Sequence, residues 1–317
     1  MFSHEYLVEM RGIVKRFPGV LANDHVNFDL KRGEVHALLG ENGAGKTTLM
    51  NILYGLYRAD EGEIYIRGKR VKIRSPKDAI KLGIGMVHQN FRLIPTHTVL
   101  ENIVLGLKEA GFIIRYKNLE EEIRTLSESY GWKIDPRAKV WQLSAGEKQQ
   151  VEILKTLYRR ADILILDEPT SVLAPQETRA LFNAIRRMAS EGKGIIFITH
   201  KLDEAMQVSD RVTVMRKGRV VITKNTSETN PTELANYMVG RPVIFAVEKK
   251  PLPPGKEVAI LRNVHALSDK GVPALNGVNL VIRRNEILGL AGVTGNGQIE
   301  LVEVITGLRK VTKGKVI

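Results

Sequence analysis

The sequence has no cysteine, so it can form neither a disulfide nor a thiolate metal site, and a reducing compartment fits it best. No uninterrupted apolar run approaches the roughly 18 residues that a membrane-spanning helix needs. Any work at a membrane is therefore expected of a peripheral subunit. Residues Met1–Met10 mix polar and apolar side chains and lack the apolar core of a secretory signal. There is also no dense basic run interleaved with aromatics; the doublets Lys31-Arg32 and Arg159-Arg160 are short. A net charge of +13 thus does not by itself point to nucleic acid. The same charge suits many solvated lysines or a surface beside anionic lipid.

What is present is a chain of 317 residues with an ordinary apolar share of 43%, which argues against disorder and allows one large domain or two ordinary ones. Short apolar runs at Val35–Leu39, Ile163–Leu166 and Ile195–Thr199 read as buried strands. Lys46–Tyr54 and Gln176–Ser190 read as helices. Strands alternating with helices predict an α/β fold with a mostly parallel, covered sheet. Residues 91–157 differ: Asn118–Ser129 is charged and helical in period, and no strand signal accompanies it, so a helical insertion is expected there. A Pro-rich break, Lys-Lys-Pro-Leu-Pro-Pro-Gly-Lys at Lys249–Lys256, reads as a linker.

Beyond it the sequence repeats itself. Val26–Ile64 aligns without gaps on Val278–Val316, bringing Gly40, Gly43, Gly45, Gly55 and Gly62 onto Gly292, Gly295, Gly297, Gly307 and Gly314. Asp269 falls opposite Phe17 at the same offset. The expected organisation is a first domain over 1–246, a linker over 247–256, and the opening part of a second, shorter copy over 257–317.

Gly40-Glu-Asn-Gly-Ala-Gly45-Lys46-Thr47 fits the phosphate-binding loop pattern, placed after a strand and opening a helix. Its glycines let backbone N–H groups turn onto phosphate oxygens, and the helix N-terminus adds positive potential. Lys46 supplies charge to the outer phosphates, and Thr47 offers a hydroxyl to Mg²⁺. The run Ile163-Leu-Ile-Leu-Asp167-Glu168 ends a buried strand in two acids. Asp167 would reach the shell of the metal, and Glu168 could act on the attacking water.

These residues resemble the ATP-binding cassette family. Leu143-Ser144-Ala145-Gly146-Glu147-Lys148-Gln149 is similar to its signature segment, His88-Gln89 to its Q-loop, and Thr199-His200 to its switch histidine. Phe17 stands where the family places an adenine-stacking aromatic. The order along the chain agrees over residues 5–245. Taken singly, each has a plainer reading: Phe17 as core, His200 as a satisfied buried imidazole, Ser144 as a helix cap with Glu147 at the capping-box position.

The resemblance implies a P-loop NTPase cassette with a mixed or parallel sheet core and a helical signature subdomain, followed by an incomplete second cassette. It implies ATP held by Phe17, Gly40, Asn42, Gly43, Gly45, Lys46, Thr47, Thr48 and Gln89, and Mg²⁺ by Thr47, Gln89 and Asp167. Glu168, His200 and Lys46 would be catalytic. Ser144 and Gly146 would meet the γ-phosphate of a nucleotide on an opposing cassette, either a second one in cis or that of a homodimer. Tandem cassettes with a short linker resemble the importers of simple sugars and nucleosides, here closest to the nucleoside branch. Such a subunit works at the cytoplasmic membrane face with two permease subunits and, indirectly, a solute-binding lipoprotein, not with nucleic acid. A soluble tandem cassette acting on ribosomes is the alternative; it would carry a long charged linker helix. A DNA-repair cassette would carry zinc-binding cysteines or coiled coils.

Three departures stand out. Gln298 and Ile299 replace the lysine and hydroxyl residue of the second phosphate loop, so this second site is not expected to hydrolyse ATP. Ala174 replaces the family's aspartate after Ser171-Val-Leu. No second signature follows, so slow turnover is expected unless two copies pair.

Overall fold

The structure, a computed structural model, describes residues 5–106, 116–242, 252–269, 271–292 and 295–317. It divides into two compact units, Met1–Phe245 and Ala246–Ile317. Of the linker expected over 247–256, residues 247–251 lie outside the described residues.

In the first unit, β1 (Tyr6–Phe17) and β2 (Val20–Lys31) form a hairpin. To it are added β4 (Glu61–Ile66) and β5 (Lys69–Val71), giving an antiparallel sheet in the order β2-β1-β4-β5. A second sheet takes β3 (Val35–Leu39), β6 (Ile84–Val87), β7 (Ile163–Asp167), β8 (Gly194–Thr199), β9 (Arg211–Arg216) and β10 (Arg219–Asn225) in the order β10-β9-β3-β8-β7-β6. It is parallel except for β10, which runs antiparallel to β9. The separate antiparallel sheet is a layer that the strand–helix alternation did not announce.

Helix α1 (Lys46–Leu53) follows β3, and α2 (Pro76–Lys81) precedes β6. Between β6 and β7 the described residues form helices and no named strand: α3 (Val99–Val104), α4 (Tyr116–Ser129) and α5 (Ala145–Tyr158), with a 3-10 turn at Val140–Gln142. After β7, β8 and β10 come α6 (Pro175–Ser190), α7 (Leu202–Val208) and α8 (Pro231–Val239). Helix starts follow local chemistry. Thr98 and Glu101 form a capping box on α3, and Ser144 and Glu147 form one on α5.

The central strands are apolar throughout because both faces are covered. Ile163, Ile165, Ile196 and Ile198 pack with Leu49 and Leu53 of α1 and Val8 and Ile13 of β1. Their neighbours Leu164, Leu166, Ile195 and Phe197 pack on the other side with Val99, Ile103, Val151, Leu154 and Ile185. The two-residue period of the strand thus binds the antiparallel sheet to one face and the helical layer to the other. Among the described residues no helix is long and apolar enough to cross a membrane.

The second unit repeats the first in miniature. Strands β11 (Glu257–Leu267), β12 (Pro273–Arg283) and β13 (Lys313–Val316) pair in the order β12-β11-β13, matching β2-β1-β4, and α9 (Gln298–Ile305) stands where α1 does. Even an irregularity is copied. The β1–β2 ladder bulges at Gly12 (φ 61°), whose N–H donates to Asn27 Oδ1 at 2.8 Å. The β11–β12 ladder bulges at Asn263 (φ 48°), whose N–H donates to Asn279 Oδ1 at 2.9 Å. The counterpart of β3, Ile287–Ala291, is exposed and unpaired among the described residues: Ile287 is 84% accessible where Val35 is 0%. β3 is flanked by β8 and β9, and the described part of the second unit has no strands that correspond to them.

Candidate nucleotide-binding site

Gly45 closes the turn from β3 to α1 at φ 99°, a backbone that L side chains rarely adopt. A Cβ there would lie 2.3 Å from the Ala22 carbonyl oxygen, so only glycine allows the loop to lie against β2. Lys46 is buried, and its Nζ donates to the carbonyls of Gly40 at 2.6 Å and Glu41 at 3.0 Å, folded back over its own loop. Burial pulls the Lys46 amine below its ordinary pKa, against the pull of Glu168 and Asp167.

A cleft of about 710 Å³ opens beside the loop. The loop contributes Asn42, Gly43, Gly45, Lys46, Thr47 and Thr48, and Gln89, Asp167 and Glu168 line it from β6 and β7. Asp167, nearly buried, has its carboxyl pushed up to about 6, first by burial and second by the charge of Glu168; the Thr47 hydroxyl, hydrogen-bonded to it, and Lys46 pull the other way.

Glu168 follows β7 in the left-handed region, at φ 46°. A non-glycine residue there costs of order 1 kcal/mol and is held by its surroundings. Here the backbone N–H of Glu168 donates to the Ile198 carbonyl at 3.0 Å. Its carboxylate then meets two partners. Gln89 Nε2 donates to Oε2 at 3.1 Å, and His200 Nδ1 lies 2.9 Å from Oε1. The plain reading of His200 as a buried imidazole fails, since its side chain is 47% accessible.

Phe17 also lines the cleft and is 36% exposed, which removes the core reading. Its ring stands edge-on to Tyr57 with centroids 5.3 Å apart, and Lys15 Nζ lies 5.3 Å from its centroid. Tyr57, Lys217 and Gly218 were not singled out in the sequence. Lys217 and Gly218 form the β9–β10 turn and line the cleft. That turn is tied to the phosphate loop, since Gly218 N–H donates to the Ala44 carbonyl at 3.1 Å. Only its left-handed Lys-Gly pair hints at it in the sequence.

Gly40, His200, Ser144 and Gly146 do not line the cleft. Ser144 caps α5, as its plain reading had it. A Cβ on Gly146 would lie 2.2 Å from Glu177 Oε1, while Glu177 Oε2 accepts from the Ala174 N–H at 2.9 Å. The glycine thus lets α6 start against α5.

In the second unit, Gly295 and Gly297 keep left-handed φ values of 94° and 88°, and a Cβ on Gly297 would approach the Ala274 carbonyl at 2.7 Å. Val293 and Thr294 lie outside the described residues. Gln298 begins α9 in the place of Lys46, and Ile299, at the place of Thr47, is 68% exposed. The strand register corrects one alignment. Phe17 pairs with Val20, and Ser268 N–H donates to the Val272 carbonyl at 2.8 Å, so Ser268 rather than Asp269 is the counterpart of Phe17. The second hairpin is one residue longer, which shifts the offset before Val272. In place of Tyr57 stands Arg309, bonded to Asp269, Glu303 and the Leu267 carbonyl, each at 2.6 Å. An aromatic pair has become an ionic lock.

Residues 23–171 match the family described as ABC transporter. The chain is 50% identical over 99% of its length to a glucose import ATP-binding protein of Haloferax volcanii, covering 62% of that protein. It is 51% identical over 98% of its length to a guanosine import ATP-binding protein of Bacillus subtilis, covering 61% of it. It therefore spans about three fifths of the length of these curated relatives. Among solved structures, a nucleotide-free ATP-binding cassette from an ABC transporter superposes with a TM-score of 0.65 at 25% identity, over 75% of this chain and 96% of that one. An ADP-bound cassette of an ABC transporter gives 0.63 at 26% identity, over 73% and 94%. Loop, acids, relatives and superposition agree that this chain carries an ATP-binding domain of the ABC transporter family.

Proposed function

We propose that the chain is the ATP-binding and ATP-hydrolysing part of an importer for nucleosides or simple sugars. It would work at the cytoplasmic membrane face with two permease subunits and, through them, a solute-binding lipoprotein. The observation that carries the reading is the Glu168 carboxylate, held between Gln89 and His200 beside a buried phosphate-loop lysine.

In this reading the backbone of Gly40–Thr48, with Asn42, cradles the phosphates, and Lys46 swings from the Gly40 and Glu41 carbonyls onto them. Phe17 stacks on the adenine. Thr47, Gln89 and Asp167 are hard oxygen donors suited to Mg²⁺, and the raised carboxyl of Asp167 marks a site with more negative charge than it can solvate unaided. The ion, when bound, would supply positive charge to the phosphates. Glu168 takes the proton of the attacking water, while His200 and Gln89 hold that carboxylate in place. Ser144 and Gly146, outside this cleft, face the nucleotide of an opposing cassette. A groove lined by Tyr54, Ile80, Met86, His88 and Arg92 adjoins Gln89 and is where a permease segment would dock.

The named relatives act in glucose and guanosine import, which supports a solute of this kind. No observation favours the ribosome alternative. Affinity purification from membranes tests the reading. Recovery with permease subunits and a solute-binding lipoprotein is expected, whereas recovery with ribosomes would reverse it.

A further inference from the structure

Residues 67–81 carry seven basic side chains against one acidic residue, Asp78, a balance of +6 within a chain of +13. The density is hard to see in the sequence because apolar residues alternate with the charges. Folding brings four cations to one place. Arg58, Arg70, Lys72 and Arg74 line one hollow of about 220 Å³ beside β4 and β5, with Glu63 also on its wall. Lys77 and Lys81, one turn apart, are both exposed on α2.

Little of this charge is neutralised. Arg67 pairs with Asp162 at 2.7 Å, and Arg70 with Glu63 at 2.8 Å. Lys69, Lys72, Arg74, Lys77 and Lys81 are exposed and make no ion pair among the described residues. Asp78 is spent locally: its carboxylate accepts from Ser75 Oγ at 3.0 Å and from the Arg74 N–H at 3.2 Å, which holds it below the usual carboxylate range. Four of these cations, Lys72, Arg74, Lys77 and Lys81, are thus presented by α2 and the segment that leads into it from β5. On its other side α2 borders the groove beside Gln89, to which it contributes Pro76 and Ile80.

We propose that this basic face rests on the anionic headgroups of the bilayer and so orients the cassette beside its membrane partners. Residues 67–81 contain no aromatic ring on which unpaired bases could stack, which disfavours single-stranded nucleic acid. The preference for lipid also rests on the import reading, which puts the neighbouring groove against a membrane protein. A surface of this kind gains about 1 kcal/mol per cation near an anionic leaflet and loses its hold within a Debye length.

The test is co-sedimentation of the 317-residue protein at low salt with vesicles of one part phosphatidylglycerol to two parts phosphatidylcholine. The protein is expected to partition onto these vesicles and not onto pure phosphatidylcholine. The variant K72E/R74E/K77E/K81E is expected to lose more than about 100-fold in partition. K133E/R179E/K310E/K315E makes the same change in net charge elsewhere and is expected to lose less than about tenfold. Equal losses in the two variants would reduce the effect to net charge and overturn the proposal. Absence of phosphatidylglycerol-dependent binding, or binding of an RNA oligonucleotide through the same four residues in place of vesicles, would do so too. ATP binding in solution is measured on both variants to show that they fold. Hydrolysis is scored separately, so a failure of the ATPase reading is distinguished from a failure of the lipid contact.

Discussion

His200 Nδ1 lies 2.9 Å from Glu168 Oε1, and Gln89 holds the other oxygen of the same carboxylate at 3.1 Å. A group gripped on both sides and set in a left-handed backbone is placed, not merely present. Glu168→Gln keeps the shape but removes the proton acceptor and turns one of the two accepting oxygens into a donor. Turnover is expected to fall by about 10²- to 10⁴-fold while ATP remains bound, as read by filter binding and single-turnover hydrolysis. Unchanged turnover would remove Glu168 from the base role.

Phe17→Ala should weaken ATP and ADP alike, by about 3- to 10-fold in Kd, as expected from one lost aromatic contact. Phe17→Tyr should restore affinity. A nucleotide titration followed by calorimetry decides it, and an unaltered Kd would return Phe17 to a purely structural role with Tyr57.

The Asp167 carboxyl sits at about 6 in the folded protein against an ordinary 3.8. The folded state therefore binds more protons than the unfolded state between these values, and stability falls as pH rises through that window. The loss is of order 3 kcal/mol and complete above the folded value. Asp167→Asn does not titrate. Without nucleotide it should melt higher than the parent at pH 8 and show a flatter pH profile, while binding Mg-ATP more weakly. Identical pH profiles would refute the burial argument.

Because Ser144 and Gly146 do not line the cleft of their own chain, hydrolysis per chain should rise with protein concentration. A Lys46→Ala chain mixed with a Ser144→Arg chain should recover part of the activity that each lacks alone. Recovery fails if each chain works by itself. Ser144→Arg also removes the α5 cap, at about 1 kcal/mol, so its melting temperature is the control.

Lys46→Ala should abolish measurable hydrolysis, since Gln298 and Ile299 leave the second loop without its cation and hydroxyl. Residual turnover near the parent level would show that the second site works.

The phosphate loop and the Asp167-Glu168 pair were readable because their chemistry is contiguous in sequence. Gln89, His200 and Phe17 were reached only through their order along the chain. Tyr57 escaped notice because it meets Phe17 across the fold, and Lys217 and Gly218 because a turn between distant strands brings them to the loop. The antiparallel layer was hidden because bulges such as the one at Gly12 break the alternation that marks a strand. The charge of residues 67–81 is hard to read in the sequence because apolar and small residues separate the cations.

The paired bulges at Gly12 and Asn263, each latched by an asparagine, carry the internal repetition down to a kink of a single residue. Yet Gln298, Ile299 and Arg309 stand where the first copy has Lys46, Thr47 and Tyr57. The path of the hairpin backbone is thus set independently of the side chains that furnish the loop beside it.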